Sequence, residues 1–187
     1  MTAAVTPSQT IGPFYGYALP FPGGGDVAPV GAPDTITVHG RVLDGAGEAI
    51  PDALLEFWQA APDGSRAGAP GSLRRDPVTG AVLGRHGLDF TGFARVATDA
   101  DGHYTLRTLV PGGDAPYLSV VVFARGLLHH LHTRVYLPGH ARDALLAGLA
   151  PKRAAGLVAR AEREGMFGFD IRIQGNADEE TVFLDFR

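Results

Sequence analysis

The chain has 187 residues, 45% of them hydrophobic, and a formal net charge of −4. This length fits one domain with a substantial core, and the acidic balance argues against nucleic acid or an anionic membrane as the main partner. The chain contains no cysteine, which excludes disulfides, zinc–thiolate sites, iron–sulfur clusters and a thiol nucleophile.

Residues 1–34 are predicted to form an extended docking arm, because they contain the irregular segments TPSQT, LPFPGGG and APVGAP. The beginning of the chain has neither the basic residues nor the apolar stretch of a secretory signal, so we expect a cytoplasmic protein. The arm is too aromatic for a free tail, and we expect it to lie against another surface. Its large apolar side chains are Phe14, Tyr15, Tyr17, Leu19 and Phe21.

Strand patterns begin at Thr35. The segment TITVHGRVL (35–43) alternates apolar and polar residues, and ALLEFWQA (53–60) predicts a second strand after a turn. Residues 60–90 are rich in Gly, Pro and Asp and predict a long loop of functional or interface role. The segments GFARVAT and HYTLRTL, joined by the turn DADG (99–102), predict a β-hairpin.

The second half of the chain continues this pattern and then changes. YLSVVVFARG (117–126) is nearly all apolar, which is typical of a strand buried on both faces, and HLHTRVYL predicts the next strand. Residues 141–149 and 152–164 have helical spacing, with Pro151 opening the second helix. FGFDIRIQG and TVFLDF predict two closing strands around the turn GNADEE.

About eight strands, an extended N-terminal arm and two short helices late in the chain predict an all-β fold, a β-sandwich. We expect a single domain over residues 1–187, in which the arm (1–34) precedes the sandwich core (35–187).

Three of the seven histidines, His129, His130 and His132, lie within four residues of one another. Such a cluster suggests a metal site. On a strand, His130 and His132 point to one face, and two imidazoles are half of a catalytic metal site, which needs about three protein ligands. No Asp or Glu lies within residues 115–142, and a pair of this kind is more often polar packing.

Arg125, in the segment FARG, follows an apolar strand and must find an anion or water. It is either a structural salt bridge or an anchor for a carboxylate substrate. The chain has no GxSxG motif and no phosphate loop with a following Lys-Ser/Thr. The residues by themselves leave two classes open, an oxygenase-like metalloenzyme and a ligand-binding or assembly sandwich without chemistry.

Several segments together resemble the intradiol ring-cleaving dioxygenases, over about Thr6 to Phe186. They are TPSQTIGPFY, HGRVLDGAGEAIPDALLEFWQA, TDADGHYTLRTLVPG, VVVFARGLLHHLHTRVYL and FDIRIQGNADEETVFLDF. The resemblance implies an enzyme that inserts both atoms of O₂ into 3,4-dihydroxybenzoate and opens the ring between the hydroxyl-bearing carbons, giving 3-carboxy-cis,cis-muconate. It also implies non-haem Fe(III), held by two tyrosinates and two histidines.

TPSQTxGP, FARGL and HLHTRxY are similar to the α type of chain in the two-subunit members of the family. The resemblance implies a homologous β subunit as partner, with αβ pairs that assemble further. The family's two ligand histidines correspond to Leu118 and Val120, the tyrosine after the PG turn is missing from residues 111–114, and residues 18–103 contain no tyrosine. We expect that this chain binds no metal and that the β subunit holds the Fe(III); Tyr117 alone would not hold it.

The resemblance further implies that the α chain contributes part of the substrate-pocket wall to the partner's site, while no residue of this chain alone is catalytic. The carried-over positions are Thr10, Gly12, Pro13, Phe14, Tyr15 and Arg125. Phe14 stands where the family usually has tyrosine, and the charge of Arg125 suits an anionic aromatic acid.

Two alternatives remain beside this interpretation. One is a transthyretin-like β-sandwich binding module that has lost oxygenase chemistry. The other is a homomeric metalloenzyme that uses His130 and His132, which the resemblance instead assigns to packing or an interface.

Overall fold

The structure is a computed structural model that describes residues 9–10, 12, 14–69, 72–176 and 178–186. The strands are β1 (Thr35–Leu43), β2 (Leu54–Trp58), β3 (Leu73–Arg75), β4 (Val82–Arg85), β5 (Phe93–Ala97), β6 (His103–Leu109), β7 (Tyr117–Phe123), β8 (Leu131–Tyr136), β9 (Arg160–Arg163), β10 (Met166–Gly168) and β11 (Ile171–Arg172). The helices are short: α1 (Tyr15–Ala18), α2 (Ala144–Ala147) and α3 (Pro151–Ala155).

Two sheets enclose the core. In the first, β1 lies between antiparallel β6 and the strands β10 and β11, which pair parallel with it, while β9 lies outside β10. The second sheet has the antiparallel order β5-β2-β7-β8. Fully buried side chains from both sheets meet between them, including Val38, Leu106, Leu55 and Val120. The predicted all-β sandwich is confirmed.

The alternation in β1 places its apolar residues in this core. Ile36, Val38, Gly40 and Val42 are buried, and the residues between them are more exposed. Gly40 is required here, because a Cβ atom would lie 1.9 Å from the carbonyl oxygen of Phe169.

The predicted hairpin of residues 92–109 is wrong. β5 pairs with β2 and β6 pairs with β1, so the turn DADG carries the chain from one sheet to the other. The Asp99 carboxylate accepts hydrogen bonds from the backbone N–H groups of Asp101 and His103, at 2.9 Å each. The turn is therefore as tight as predicted, but its strands diverge to different partners.

Other local predictions also need correction. The 60–90 loop contains the hairpin β3–β4, and β7 alternates between buried and half-buried residues instead of being buried on both faces. The second helix ends at Ala155, and part of the segment predicted to be helical forms β9. The closing TVFLDF is not a regular strand, although Leu184 bridges to His132.

Part of the arm docks on its own sandwich. The N–H of Arg107 donates to the carbonyl of Gly25, and the N–H of Val27 donates back to the carbonyl of Arg107, both at 2.8 Å. Earlier in the arm, the guanidinium of Arg85 lies over the ring of Phe21, 5.4 Å from the ring centre. No helix in the described part of the chain is long and apolar enough to cross a membrane.

Candidate functional site

A cavity of about 200 Å³ opens on the outer face of the second sheet. Trp58 and Ser119 stand opposite each other on β2 and β7, and Tyr117 lies two residues before Ser119. Since side chains alternate along a strand, these three residues share one face of the sheet. Gln59, Ala60 and Arg66, from the segment after β2, and Ala115, before β7, complete the lining.

This geometry corrects the positions assigned to the ligand histidines. Leu118 and Val120 are fully buried in the core between the sheets, where a substrate could not reach a metal. Tyr117 and Ser119 have the same spacing of two residues and face the cavity. An exposed ligand pair on β7 would therefore occupy positions 117 and 119, one residue before those that the sequence comparison indicated.

The turn before β7 has no room for a tyrosine ligand. A Cβ atom on Gly112 would lie 1.9 Å from the carbonyl oxygen of Pro62, and one on Gly113 would lie 2.8 Å from the Cα of Gly64. Gly113 also has a positive φ of 68°, which side-chain-bearing residues rarely adopt. The backbone of residues 61–64 occupies this space.

The cavity does not fit ferric iron. At the two β7 positions that line it, Tyr117 and Ser119, the cavity presents a phenol and an alcohol instead of two imidazoles, and one phenolate does not hold Fe(III). Within the described ranges, no three His, Cys, Asp or Glu side chains are grouped so that they could hold a metal ion.

A partly buried polar network supports one wall of the cavity. The guanidinium of Arg134 lies 4.0 Å from the centre of the Tyr117 ring and donates to Asp143 Oδ2 at 2.7 Å. The Tyr136 hydroxyl donates to the same oxygen at 2.5 Å, and Asp143 Oδ1 accepts from the N–H of Leu146, which caps α2. Asp143 thus connects a helix, a strand and the cavity wall.

These contacts change the acidity of the network. Burial alone would raise the pKa of Asp143, but the hydrogen bonds from Tyr136 and Leu146 and the charge of Arg134 together hold that pKa below its usual range. Burial raises the pKa of Tyr136 to about 12, so its hydroxyl remains a donor at neutral pH. Asp143 is therefore the ionised partner.

The structure places several of the residues that were predicted to form part of the partner's substrate-pocket wall. Gly12 N–H donates to Thr10 Oγ1 at 3.3 Å, and Phe14 is 75% exposed at the start of α1. Tyr15 is buried, and its hydroxyl donates to a backbone carbonyl at 2.7 Å. Pro13 lies outside the described residues.

Asp52 joins Arg125 to the arm, a contact that the sequence did not indicate. Arg125 Nε donates to Asp52 Oδ2 at 2.6 Å, and a second guanidinium nitrogen contacts the same oxygen. The Tyr15 hydroxyl donates to the Asp52 carbonyl. Burial, and then the charge of Asp52, raise the pKa of Tyr15, so the phenol remains protonated. Arg125 thus forms a salt bridge with Asp52, although 69% of its side chain is exposed.

The histidine pair belongs to an aromatic cluster. The rings of His130 and His132 meet edge to face at 4.7 Å, and His132 meets Phe186 in the same way at 5.0 Å. Burial, and then the nearby charge of His130, lower the pKa of His132, which favours its neutral form. Packing accounts for these contacts.

Comparison with known proteins places the chain. A family model described as Dioxygenase matches residues 25–153. The chain belongs to the intradiol dioxygenase family. These are non-haem iron enzymes.

Its relatives include both kinds of subunit. The chain is 37% identical to the protocatechuate 3,4-dioxygenase alpha chain of Burkholderia cepacia, over 98% of both chains. It is 30% identical to the beta chain from the same organism, over 77% of this chain and 60% of the other. A solved dioxygenase domain from Streptomyces sp. SirexAA-E, part of a carbohydrate-binding fusion, is 28% identical with a TM-score of 0.56, over 91% of this chain and 98% of that one.

Proposed function

We propose that this chain is the α subunit of a protocatechuate 3,4-dioxygenase, working with a homologous β subunit that holds the iron. The observation that carries the proposal is the 37% identity to an alpha chain over 98% of both chains. The complex would cleave 3,4-dihydroxybenzoate with O₂ to 3-carboxy-cis,cis-muconate, and we expect it in the cytoplasm.

The side chains that line the cavity support the proposal that the β subunit, and not this chain, holds the iron. A chain of an iron-dependent family whose own cavity offers Tyr117 and Ser119, and no imidazole pair, needs the metal to be held elsewhere. The match to a beta chain of the same enzyme makes a homologous β subunit the natural holder.

The arm supports the partner interface. Phe14, just before α1, is 75% exposed and Tyr17, within it, is 89% exposed, while the first residue of that helix, Tyr15, is anchored on the sandwich. Two exposed aromatic rings on a fixed helix fit a surface that a partner covers. Thr10, Gly12, Pro13, Phe14, Tyr15 and Arg125 would then form the part of the pocket wall that this chain supplies.

The same contacts define what Arg125 would contribute. Its guanidinium is held by Asp52, so a substrate carboxylate would meet a positioned but partly neutralised charge. Such an arginine orients and attracts an anionic substrate weakly, with an effect that decreases as salt rises.

The test is to express the chain alone and together with a β subunit homologous to the one from Burkholderia cepacia. Alone, it should be colourless, free of iron and inactive. The co-expressed complex should contain one iron per αβ pair, be red-brown and consume O₂ with 3,4-dihydroxybenzoate. Ring cleavage by the chain alone would overturn the proposal. Failure to associate with any β subunit would favour the transthyretin-like binding module.

A matched pair of variants tests the arm as the interface. Replacing Phe14 and Tyr17 with Ala should weaken assembly with the β subunit in size-exclusion chromatography. Val78→Ala removes an equally exposed apolar side chain, from the turn between β3 and β4, and should leave assembly intact. Equal losses in both variants would contradict an interface at the arm.

A further inference from the structure

We propose that the cavity on the outer face of the second sheet is a metal-free binding site for a small aromatic carboxylate. This site belongs to this chain alone and would be separate from the ring-cleaving site proposed for the β subunit. The binding site does not require the β subunit, because all the residues that line the cavity belong to this chain.

The size of the cavity fits one aromatic ring. An apolar cavity of about 150 Å³ is known to hold benzene. The present cavity is about 200 Å³, which leaves room for a ring and one carboxylate group. Small-molecule pockets commonly measure about 300–1,000 Å³, so this cavity suits a ligand at the small end of that class.

Its walls offer aromatic faces in a fixed arrangement. Trp58 packs against Phe93 with the rings tilted at 42° and their centres 4.4 Å apart, and 53% of Trp58 remains exposed. Tyr117 is held between Arg134, at 4.0 Å, and Tyr136, whose ring centre is 5.6 Å away. A planar ring that enters the cavity would therefore meet side chains already held by their neighbours, so little conformational entropy would be lost on binding.

The polar groups that remain uncommitted favour an anion. Gln59 is fully engaged, because its amide donates to the carbonyl of Leu109 at 2.9 Å and its side-chain oxygen accepts from the hydroxyl of Thr108 at 2.7 Å. By contrast, across the ranges that the structure describes, the Tyr117 and Ser119 hydroxyls and the Arg66 guanidinium have no hydrogen-bond or ion-pair partner.

These three groups are two neutral donors and one cation, with no carboxylate among the residues that line the cavity. A carboxylate accepts from all three, and a guanidinium in particular matches its geometry. A cationic or neutral ligand would form no ion pair with the guanidinium of Arg66. The combination of a ring-sized cavity, aromatic walls and an unpaired arginine therefore indicates an aromatic carboxylate.

The chain carries its own probe for this site, since Trp58 is its single tryptophan. We expect titration of the purified full chain with benzoate to change the Trp58 emission saturably, with a dissociation constant of about 1 mM or lower. Benzamide, which lacks the charge, and cyclohexanecarboxylate, which lacks the aromatic ring, should each bind at least about fivefold more weakly. Calorimetry extends the comparison to 3,4-dihydroxybenzoate.

Variants locate the ligand. Arg66→Met should weaken benzoate binding about fivefold to tenfold, because a charge-assisted contact is lost. Arg74→Met makes the same change in net charge at another exposed arginine, on β3, and should leave the affinity unchanged. Tyr117→Phe keeps the ring and should weaken binding about threefold.

Three results would overturn the proposal: no saturable change in emission, benzamide binding as tightly as benzoate, or equal losses in the two arginine variants. None of them bears on whether a complex with a β subunit cleaves 3,4-dihydroxybenzoate, so failure here and failure of the proposed function are distinguishable.

Discussion

Replacing Asp143 with Ala should destabilise the chain strongly for a residue outside the core. The loss of the α2 cap costs about 1 kcal/mol, and leaving the buried Tyr136 hydroxyl and the Arg134 guanidinium without their acceptor costs about 2 kcal/mol more. The side chains of Arg134 and Asp143 are 25% and 16% exposed, so solvent replaces only part of these contacts. The total of about 3 kcal/mol corresponds to a drop in Tm of roughly 10 °C for a chain of this length.

Differential scanning calorimetry measures this drop, and Asp178→Ala is its control. Asp178 also pairs with a cation, Lys152 at 2.8 Å, but both side chains are more than half exposed. Its loss should move Tm by less than about 1 °C. A similar small shift for Asp143→Ala would refute the claim that the network is a structural support.

The charge of Asp143 can be separated from its other roles by pH. Asp143→Asn keeps one oxygen that can cap α2, but it removes the negative charge and the second acceptor oxygen, so both Arg134 and Tyr136 lose an ionic acceptor. Because the folded-state pKa of Asp143 is lowered, its ionisation stabilises the fold fully above the unfolded pKa of about 3.9. That stabilisation is lost as the pH falls through the folded pKa. The difference in Tm between the parent chain and Asp143→Asn should therefore be present at pH 7 and shrink below about pH 4; a constant difference would contradict the ionic contribution.

In the α–β complex, Arg125→Ala should reduce turnover of 3,4-dihydroxybenzoate about threefold more than turnover of catechol, because only the former carries a carboxylate. Equal losses in steady-state kinetics would mean that Arg125 acts through its contact with Asp52. Gly112→Ala should cost about 1–3 kcal/mol in chemical denaturation, since its Cβ would lie 1.9 Å from the Pro62 carbonyl oxygen. Gly16→Ala, whose Cβ meets no described atom within 4 Å outside its own helix, should be close to neutral.

Local alternation was enough to predict β1, β2, β5, β6, β7 and β8, but not the partners of these strands. The pattern of β1 is visible in the sequence because each residue's burial depends only on its own strand. The pairing of β5 and β6 depends on where the other sheet lies, and the tight turn between them is compatible with either outcome. A turn motif therefore predicts a reversal of the chain and not a hairpin.

The second predicted helix fails for a tertiary reason. Its sequence has helical spacing, but α3 ends before Gly156, and the chain then pairs with β8. The N–H of Tyr136 donates to the carbonyl of Leu157 at 2.9 Å, and the N–H of Ala159 donates to the carbonyl of Tyr136 at 2.8 Å. Leu157 is fully buried in this position. Pairing with an existing strand outweighs the modest helix preference of this segment.

For the site, the burial pattern of β7 corrects which of its residues face outward. Motif comparison assigned the ligand places to Leu118 and Val120, and only the alternation of β7 against the core shows that Tyr117 and Ser119 face outward. A shift of one residue reverses every side chain on a strand, so a motif without burial information leaves this choice open. Neither Leu118 and Val120 nor Tyr117 and Ser119 are histidines, so β7 lacks a histidine pair whichever of the two pairs of positions is compared.

The contact between Tyr15, Asp52 and Arg125 explains how the arm can be fixed and still present apolar surface. Asp52 is 37 residues from Tyr15 and 73 from Arg125, too distant for any sequence pattern to connect them. In the single turn of α1, burying Tyr15 directs its neighbours elsewhere, which leaves Phe14 and Tyr17 exposed. A free tail would collapse such rings against the nearest apolar surface. Here the anchored hydroxyl prevents that collapse, so the rings remain available to a second chain.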